Sequence, residues 1–188
     1  MKRVLILIGS STRNSHTLNL AKIIQGQLND EGLETNLIDL VEYQLPQYDL
    51  TTKRDKFLTD PKVANFIELT KQSEGYIWGT PVYHGSYSGI LKNALDWQDF
   101  SLTNKIVGLI SNGNDRGSMA VDHLTLVARA QHAISLPTRI CTDAKDYNQN
   151  NQLVAQDLLP RINDWFIWEM SEFRGKDLIF RDEIKWKF

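Results

Sequence analysis

Nine consecutive residues, Gly9-Ser10-Ser11-Thr12-Arg13-Asn14-Ser15-His16-Thr17, set five hydroxyls and one guanidinium between an apolar run, Val4 to Ile8, and a stretch of helical periodicity. A strand feeding directly into a helix aims the helix's unpaired N–H groups and positive dipole end at the intervening turn, where anions bind. The Arg13 fork suits phosphate oxygens, and the hydroxyls donate without adding charge. Two common nucleotide loops are excluded. A Walker loop ends in Gly-Lys-Ser/Thr, and this segment has one glycine and no lysine. The dinucleotide fingerprint needs three spaced glycines, so Asp39, placed where such a fold sets its ribose-binding acid, reads as a strand-end residue. What remains is a socket for one terminal monophosphate. The bland alternative is a capped helix in which Ser15 or Thr17 satisfies its own first-turn amides.

Two further segments carry chemistry. Thr80-Pro81-Val82-Tyr83-His84-Gly85-Ser86-Tyr87 is dense in aromatic rings and permissive backbone. Tyr83, His84 and Tyr87 can back or wall a flat heteroaromatic, and Gly85 lets the main chain come close; surface packing of aromatics is the competing reading. Ser111-Asn112-Gly113-Asn114-Asp115-Arg116-Gly117 offers N–H groups and amides to the polar rim of the same ring. Phosphate socket, ring platform and polar edge together suit an isoalloxazine mononucleotide. His16, His84, His123 and His132 have no metal-ligand spacing. Gly85-Ser86-Tyr87-Ser88-Gly89 misses the Gly-x-Ser-x-Gly of a hydrolase because its centre is tyrosine. Lys92, Asn93 and Asp96 read as capping groups, ion pairs or a subunit contact, and Asp122 and His123 as solvent-facing.

These loops need a scaffold that brings them together. Short aliphatic runs alternate with amphipathic stretches along the chain, the pattern of a parallel sheet covered by helices on both faces. Strands are predicted over Arg3 to Ile8, Glu34 to Asp39, Gly75 to Gly79, Lys105 to Ile110 and Ile134 to Ile140. Helices are predicted over Thr17 to Asn29, Pro61 to Gln72, Ser88 to Trp97, Ser118 to Ala133 and Ala155 to Phe173. The expected class is α/β, a flavodoxin-like three-layer sandwich with a five-stranded parallel sheet in the order 2-1-3-4-5. Ligands sit in such a fold at the reversal point between strands one and three. One domain is expected over residues 1–173, with 174–188 as an extension or interface arm.

Composition narrows the partners. With 188 residues, 41% of them hydrophobic, the chain can bury a full core as one domain. A net charge of −2 argues against holding nucleic acid or anionic lipid by electrostatics, and no run reaches the ~20 apolar residues of a membrane span. A small-molecule partner and a cytoplasmic location are expected. The single cysteine, Cys141, excludes an internal disulfide and a Cys-rich metal cluster. Apolar residues on the third helix, with Trp165, Trp168 and Trp186, are expected to form patches open to self-association.

Pro81-x-Tyr83-His84 followed by Ser88-Gly89-x-Leu91-Lys92-Asn93-Ala94-Leu95-Asp96-Trp97, with the loop Gly9 to Thr17 and the segment Gly113 to Pro137, resembles the NADPH-dependent FMN reductase family, which includes azobenzene, quinone and chromate reductases. The resemblance implies an enzyme that binds FMN and moves hydride from NAD(P)H to it, then to a second acceptor: free flavin, a quinone, an azo compound or a similar small molecule. It also implies a homodimer or homotetramer. The FMN site would comprise Ser10, Arg13, Ser15, His16 and Thr17 on the phosphate, Pro81, Val82, Tyr83, His84, Gly85, Ser86 and Tyr87 along the ring, and Ser111, Asn112 and Gly113 at its far side. No side chain is assigned a catalytic role and no metal is implied. Arg116, standing where many relatives have glycine, is a candidate partner for the 2′-phosphate of NADPH. The rival reading is a flavodoxin-like electron carrier or flavin-binding module without NAD(P)H turnover of its own.

Overall fold

The structure, a computed structural model, describes residues 3–49, 51, 59–98, 100–162 and 165. Five strands, β1 (Arg3–Ile8), β2 (Glu34–Asp39), β3 (Gly75–Pro81), β4 (Ile106–Asn112) and β5 (Ile134–Thr142), form one sheet in the order β2-β1-β3-β4-β5. Every pairing is parallel. The uninterrupted apolar run of β1 follows from its central place: Val4 to Ile8 are covered on both faces of the sheet. On one face Val4, Ile6 and Ile8 pack with Leu20, Ile24 and Leu28 of α1 (His16–Asp30) and with Leu158 and Ile162. On the other, Leu5 and Leu7 pack with Phe66 of α3 (Pro61–Gln72), Leu91 and Leu95 of α4 (Gly89–Trp97) and Leu124 of α5 (Met119–Ala130). A four-residue helix, α2 (Leu40–Tyr43), follows β2.

The expected layers, strand order and reversal point are all present, and the differences have local causes. Strands β3, β4 and β5 run two residues beyond expectation because their ends pair with one another, Pro81 opposite Asn112 and Asn112 opposite Thr142. Proline is tolerated there because Val82 N–H donates to Asn112 O; by alternation, the amide position of Pro81 faces the other side, where β1 has ended. Pro137 falls where the β4–β5 register shifts, on the edge strand, between Val107↔Ser135 and Leu109↔Arg139. Helix α5 stops at Ala130, three residues short of expectation, because His132 turns left-handed at φ 57°.

Two expectations need correction. Leu91, Ala94, Leu95 and Trp97 do not form an open face on the third predicted helix: all four are buried against the sheet. Trp165 is likewise buried, its indole N–H donating to Thr138 O at 2.9 Å. Of the last predicted helix, residues 158–162 and 165 are helical; its remainder, Trp168, Trp186 and the extension 174–188 lie outside the described residues. No described helix is long and apolar enough to cross a membrane.

Candidate flavin site

The three predicted loops meet at the carboxyl ends of β1, β3 and β4. The first begins at Gly9, whose N–H donates to Gly79 O at 2.8 Å and whose Cα lies against the start of α4. Ser10 is buried and its Oγ accepts from Thr12 N–H at 3.1 Å, closing a tight turn. Ser15 caps α1, its Oγ accepting from Leu18 N–H at 3.1 Å. The capped-helix reading of that serine is therefore realised, and the first amides of α1 still point back toward the loop. Thr17 is buried behind the helix start.

The platform loop is a two-residue hairpin. Tyr83 and Ser86 exchange both backbone hydrogen bonds, at 2.8 and 3.0 Å, and His84 and Gly85 are both left-handed, φ 49° and 78°. That geometry matches the right-handed twist of the flanking backbone and favours glycine at the second position. His84 is thus presented at an exposed tip. The hairpin leans on α5 through Met119, whose Cε lies where a Gly85 side chain would go, and through Ser86 Oγ, 3.0 Å from His123 Nδ1. Its partner is the first loop: Ser11 N–H donates to Tyr83 Oη at 3.3 Å. Burial pushes the Tyr83 phenol up, yet hydrogen bonds from Ser11, Ser10 and Thr12 outweigh it and hold the group below its ordinary range. The Ser11 N–H and the hydroxyls of Ser10, Ser11 and Thr12 stand together at this turn, neutral donors of a kind that fits a phosphate.

The third loop closes the cluster. Val82 N–H donates to Asn112 O at 2.9 Å, and a Cβ on Gly113 would stand 2.5 Å from Val82 Cγ2, so Val82 fills the space a larger residue at 113 would need. Ser111 and Asn112 spend their side chains internally, Ser111 Oγ on Gly117 O and Asn112 Nδ2 on Thr142 Oγ1. Its main chain is engaged as well, Gly113 N–H donating to Thr142 O at 2.9 Å and Gly113 O accepting from Arg116 N–H at 3.1 Å, so the loop is a rigid wall at this end of the site.

Two arginines depart from expectation. Arg13 turns outward and pairs with Glu42 of α2, Nε to Oε1 at 2.6 Å. Arg116, the candidate for a 2′-phosphate, is occupied by the carboxylates of Asp146 and Asp157. A cavity of about 350 Å³ adjoins the first loop on its β2 side, lined by Ser11, Leu40, Val41, Gly89, Ile90 and Asn93 among others. Lys92 and Asp96 form the anticipated ion pair, and Asn93 bridges Tyr48 N–H and Pro46 O.

Residues 143–157, which the sequence did not place in the site, brace it from behind, and the helix expected from Ala155 begins at Leu158. His16 stacks on Tyr147, ring centroids 4.2 Å apart, and its Nδ1 lies 2.5 Å from Asn151 Oδ1. Because Asn151 Nδ2 donates to Asn14 O, its Oδ1 must accept, and His16 Nδ1 carries the hydrogen. Tyr147 donates from a buried hydroxyl to His16 O, and burial pushes its phenol up to about 12. A phenol whose pKa is raised by folding contributes its stability below the ordinary value near 10 and loses it as pH climbs through the folded value. Tyr147→Phe is expected to flatten the alkaline fall in stability above pH ~10, read by denaturant titration across pH; an unaltered fall would contradict this.

Comparison with known proteins bears on the fold and on the family. Two solved structures share the fold at 21% identity: an NADH:FMN oxidoreductase (EMOB) in its apo form, TM-score 0.73, covering 93% of this chain and 89% of that one, and FerB, a flavoenzyme NAD(P)H:(acceptor) oxidoreductase from Paracoccus denitrificans, TM-score 0.74, covering 93% and 98%. An FMN-dependent NADPH-azoreductase of Staphylococcus haemolyticus is 40% identical over 150 residues, 77% of this chain and 79% of the relative. One from Staphylococcus aureus is 36% identical over 185 residues, 96% and 92%. Residues 2–146 match the family described as NADPH-dependent FMN reductase, and the chain belongs to that family.

Proposed function

We propose that the three loops hold one FMN, with the donors of Ser10, Ser11 and Thr12 and the first amides of α1 on its phosphate, the Pro81–Tyr87 segment along its ring system, and the Ser111–Gly113 backbone at its polar rim. The observation that carries this reading is the meeting of the hydroxyl-rich first loop with the aromatic hairpin at the reversal point of the sheet, Ser11 N–H donating to Tyr83 Oη at 3.3 Å. By family the chain is an FMN-dependent NAD(P)H oxidoreductase. The chemistry FMN supplies when bound is hydride acceptance from NAD(P)H and onward transfer of the electron pair to a second acceptor. The tasks left to the protein are alignment and a dry contact. The hairpin, braced by Met119 and His123, keeps Tyr83 and His84 in one arrangement. Arg13 reaches the phosphate by exchanging Glu42 for it, an ion pair exposed enough to give way at small cost.

The second acceptor is a flat small molecule, and the azo compounds named for the staphylococcal relatives fall in that class. Tyr83 and Met119, both exposed beside the hairpin, give it an apolar surface. The enzyme works in the cytoplasm, where reduced nicotinamide is available, as a homodimer or homotetramer. Light scattering tests the assembly. Titrating the flavin-free protein with FMN and with riboflavin tests the site: a yellow complex is expected, about tenfold weaker for riboflavin, which lacks the phosphate. Anaerobic NADPH then bleaches the FMN complex. Failure to take up flavin would overturn the site, and uptake without bleaching would leave the carrier reading in its place.

A further inference from the structure

Arg116 makes more contacts than its place on an exposed turn requires. Its Nε and Nη2 donate to the two oxygens of Asp146 at 2.8 and 2.7 Å, and its Nη1 and Nη2 donate to those of Asp157 at 2.5 and 3.1 Å. Two carboxylates thus take four of the five N–H donors an arginine carries. Asp146 is buried, and its Oδ2 also accepts from Asp143 N–H. Asp143 in turn accepts from Asp115 N–H at 2.5 Å. The backbone between these contacts is unfavourable: Asp115 and Arg116, neither of them glycine, are both left-handed, φ 53° and 52°. Such a pair persists where surrounding contacts over-determine it.

We propose that Arg116 is a positioning residue for the flavin-edge loop, acting through Asp146 and Asp157 to lock residues 113–117 in one conformation beside the ring. It is not the group that binds the 2′-phosphate of NADPH. A guanidinium forked onto two carboxylates, in a cluster where Asp115, Asp143, Asp146 and Asp157 outnumber Arg116 and Lys145, has no net positive charge to offer a second anion. The lock spans three separate stretches, the loop after β4, the turn after β5 and the segment leading into helix 158–162, so the flavin edge is tied to the far end of the described chain. Its effect on flavin binding rests on the site assignment made above; its effect on the loop does not.

The test uses Arg116→Gln, Asp157→Asn and the double variant in the full chain. Amide hydrogen exchange of residues 113–117 in flavin-free protein is expected to quicken about tenfold in Arg116→Gln and less in Asp157→Asn, with the double no faster than Arg116→Gln alone. FMN affinity is expected to fall about tenfold in Arg116→Gln, while the ratio of NADPH to NADH efficiency stays at its wild-type value. Unchanged exchange in a folded Arg116→Gln would overturn the lock, and so would a loss confined to NADPH, which would restore the phosphate role. If the wild-type chain took up no FMN, the site assignment would fail, and the exchange measurement would still decide the lock.

Discussion

Replacing Gly9 with alanine is expected to cost about 3 kcal/mol of stability and most of the FMN affinity, although it adds one methyl group. The new Cβ would lie 2.4 Å from Leu91 Cβ, 2.7 Å from Ser88 Oγ and 3.2 Å from Leu91 Cα. None of these is the loose tip of a long side chain. Leu91 Cβ moves only with the backbone of α4, and Ser88 caps that helix, its Oγ accepting from Leu91 N–H. Relief therefore requires the start of α4 to withdraw from the first loop. The same movement drags the hairpin, because Ser88 N–H is held by Thr80 Oγ1 at the end of β3. Urea denaturation and FMN titration of the variant measure both effects. A variant as stable and as tightly bound as wild type would show that the first loop and α4 are not packed this closely.

Trp78→Ala is expected to be the most destabilising change in the sheet, by about 3–5 kcal/mol. Trp78 is fully buried in the middle of β3, opposite Leu7 on β1 and Leu109 on β4, all three on the face covered by α3, α4 and α5. A loss of that size is a large fraction of the 5–15 kcal/mol that holds a typical domain folded. Trp78→Phe supplies the contrast. The indole N–H has no hydrogen-bond partner among the described residues, so phenylalanine removes an unsatisfied donor as well as volume. Its cost is expected to stay below about 2 kcal/mol. Far-UV circular dichroism in denaturant separates the two without relying on the tryptophan removed. Equal losses would mean that shape alone governs the position.

The fold was readable because its signal is periodic. Val4 to Ile8 and the i, i+3, i+4 spacing through Leu20, Ala21, Ile24 and Leu28 report burial on a sheet and on one face of a helix, and both are buried as read. Helix α2 was missed because Leu40–Tyr43 is about one turn long, too short for a period to show. The loops of the candidate site were readable for a different reason: hydroxyls, aromatics and glycines that no core needs stand directly after strands. What could not be read was which side chains those loops spend on each other. Ser111, Asn112 and Arg116 look available in a linear string and are engaged in the folded chain. Ser111 finds Gly117 O six residues on, whereas the partners of Asn112 and Arg116, namely Thr142, Asp146 and Asp157, lie tens of residues away in a stretch without repeat. The one local trace was Asp143-Ala144-Lys145-Asp146, whose two aspartates cap reciprocally as Ser/Thr and Glu do in a capping box.

The pattern of bracing bears on how such enzymes can be recombined. Ser11 with Tyr83, Val82 with Gly113, His16 with Tyr147 and Asn151, and Arg116 with Asp146 and Asp157 fasten each ligand loop to another segment rather than to the strand that bears it. A chimera that imports any single loop from a homologue severs at least one of these ties and strands its counterpart. Crossovers that carry 9–16 with 143–151, or 113–117 with 143–157, keep both halves of a tie together, so loop geometry is expected to be inherited in linked blocks, not one loop at a time.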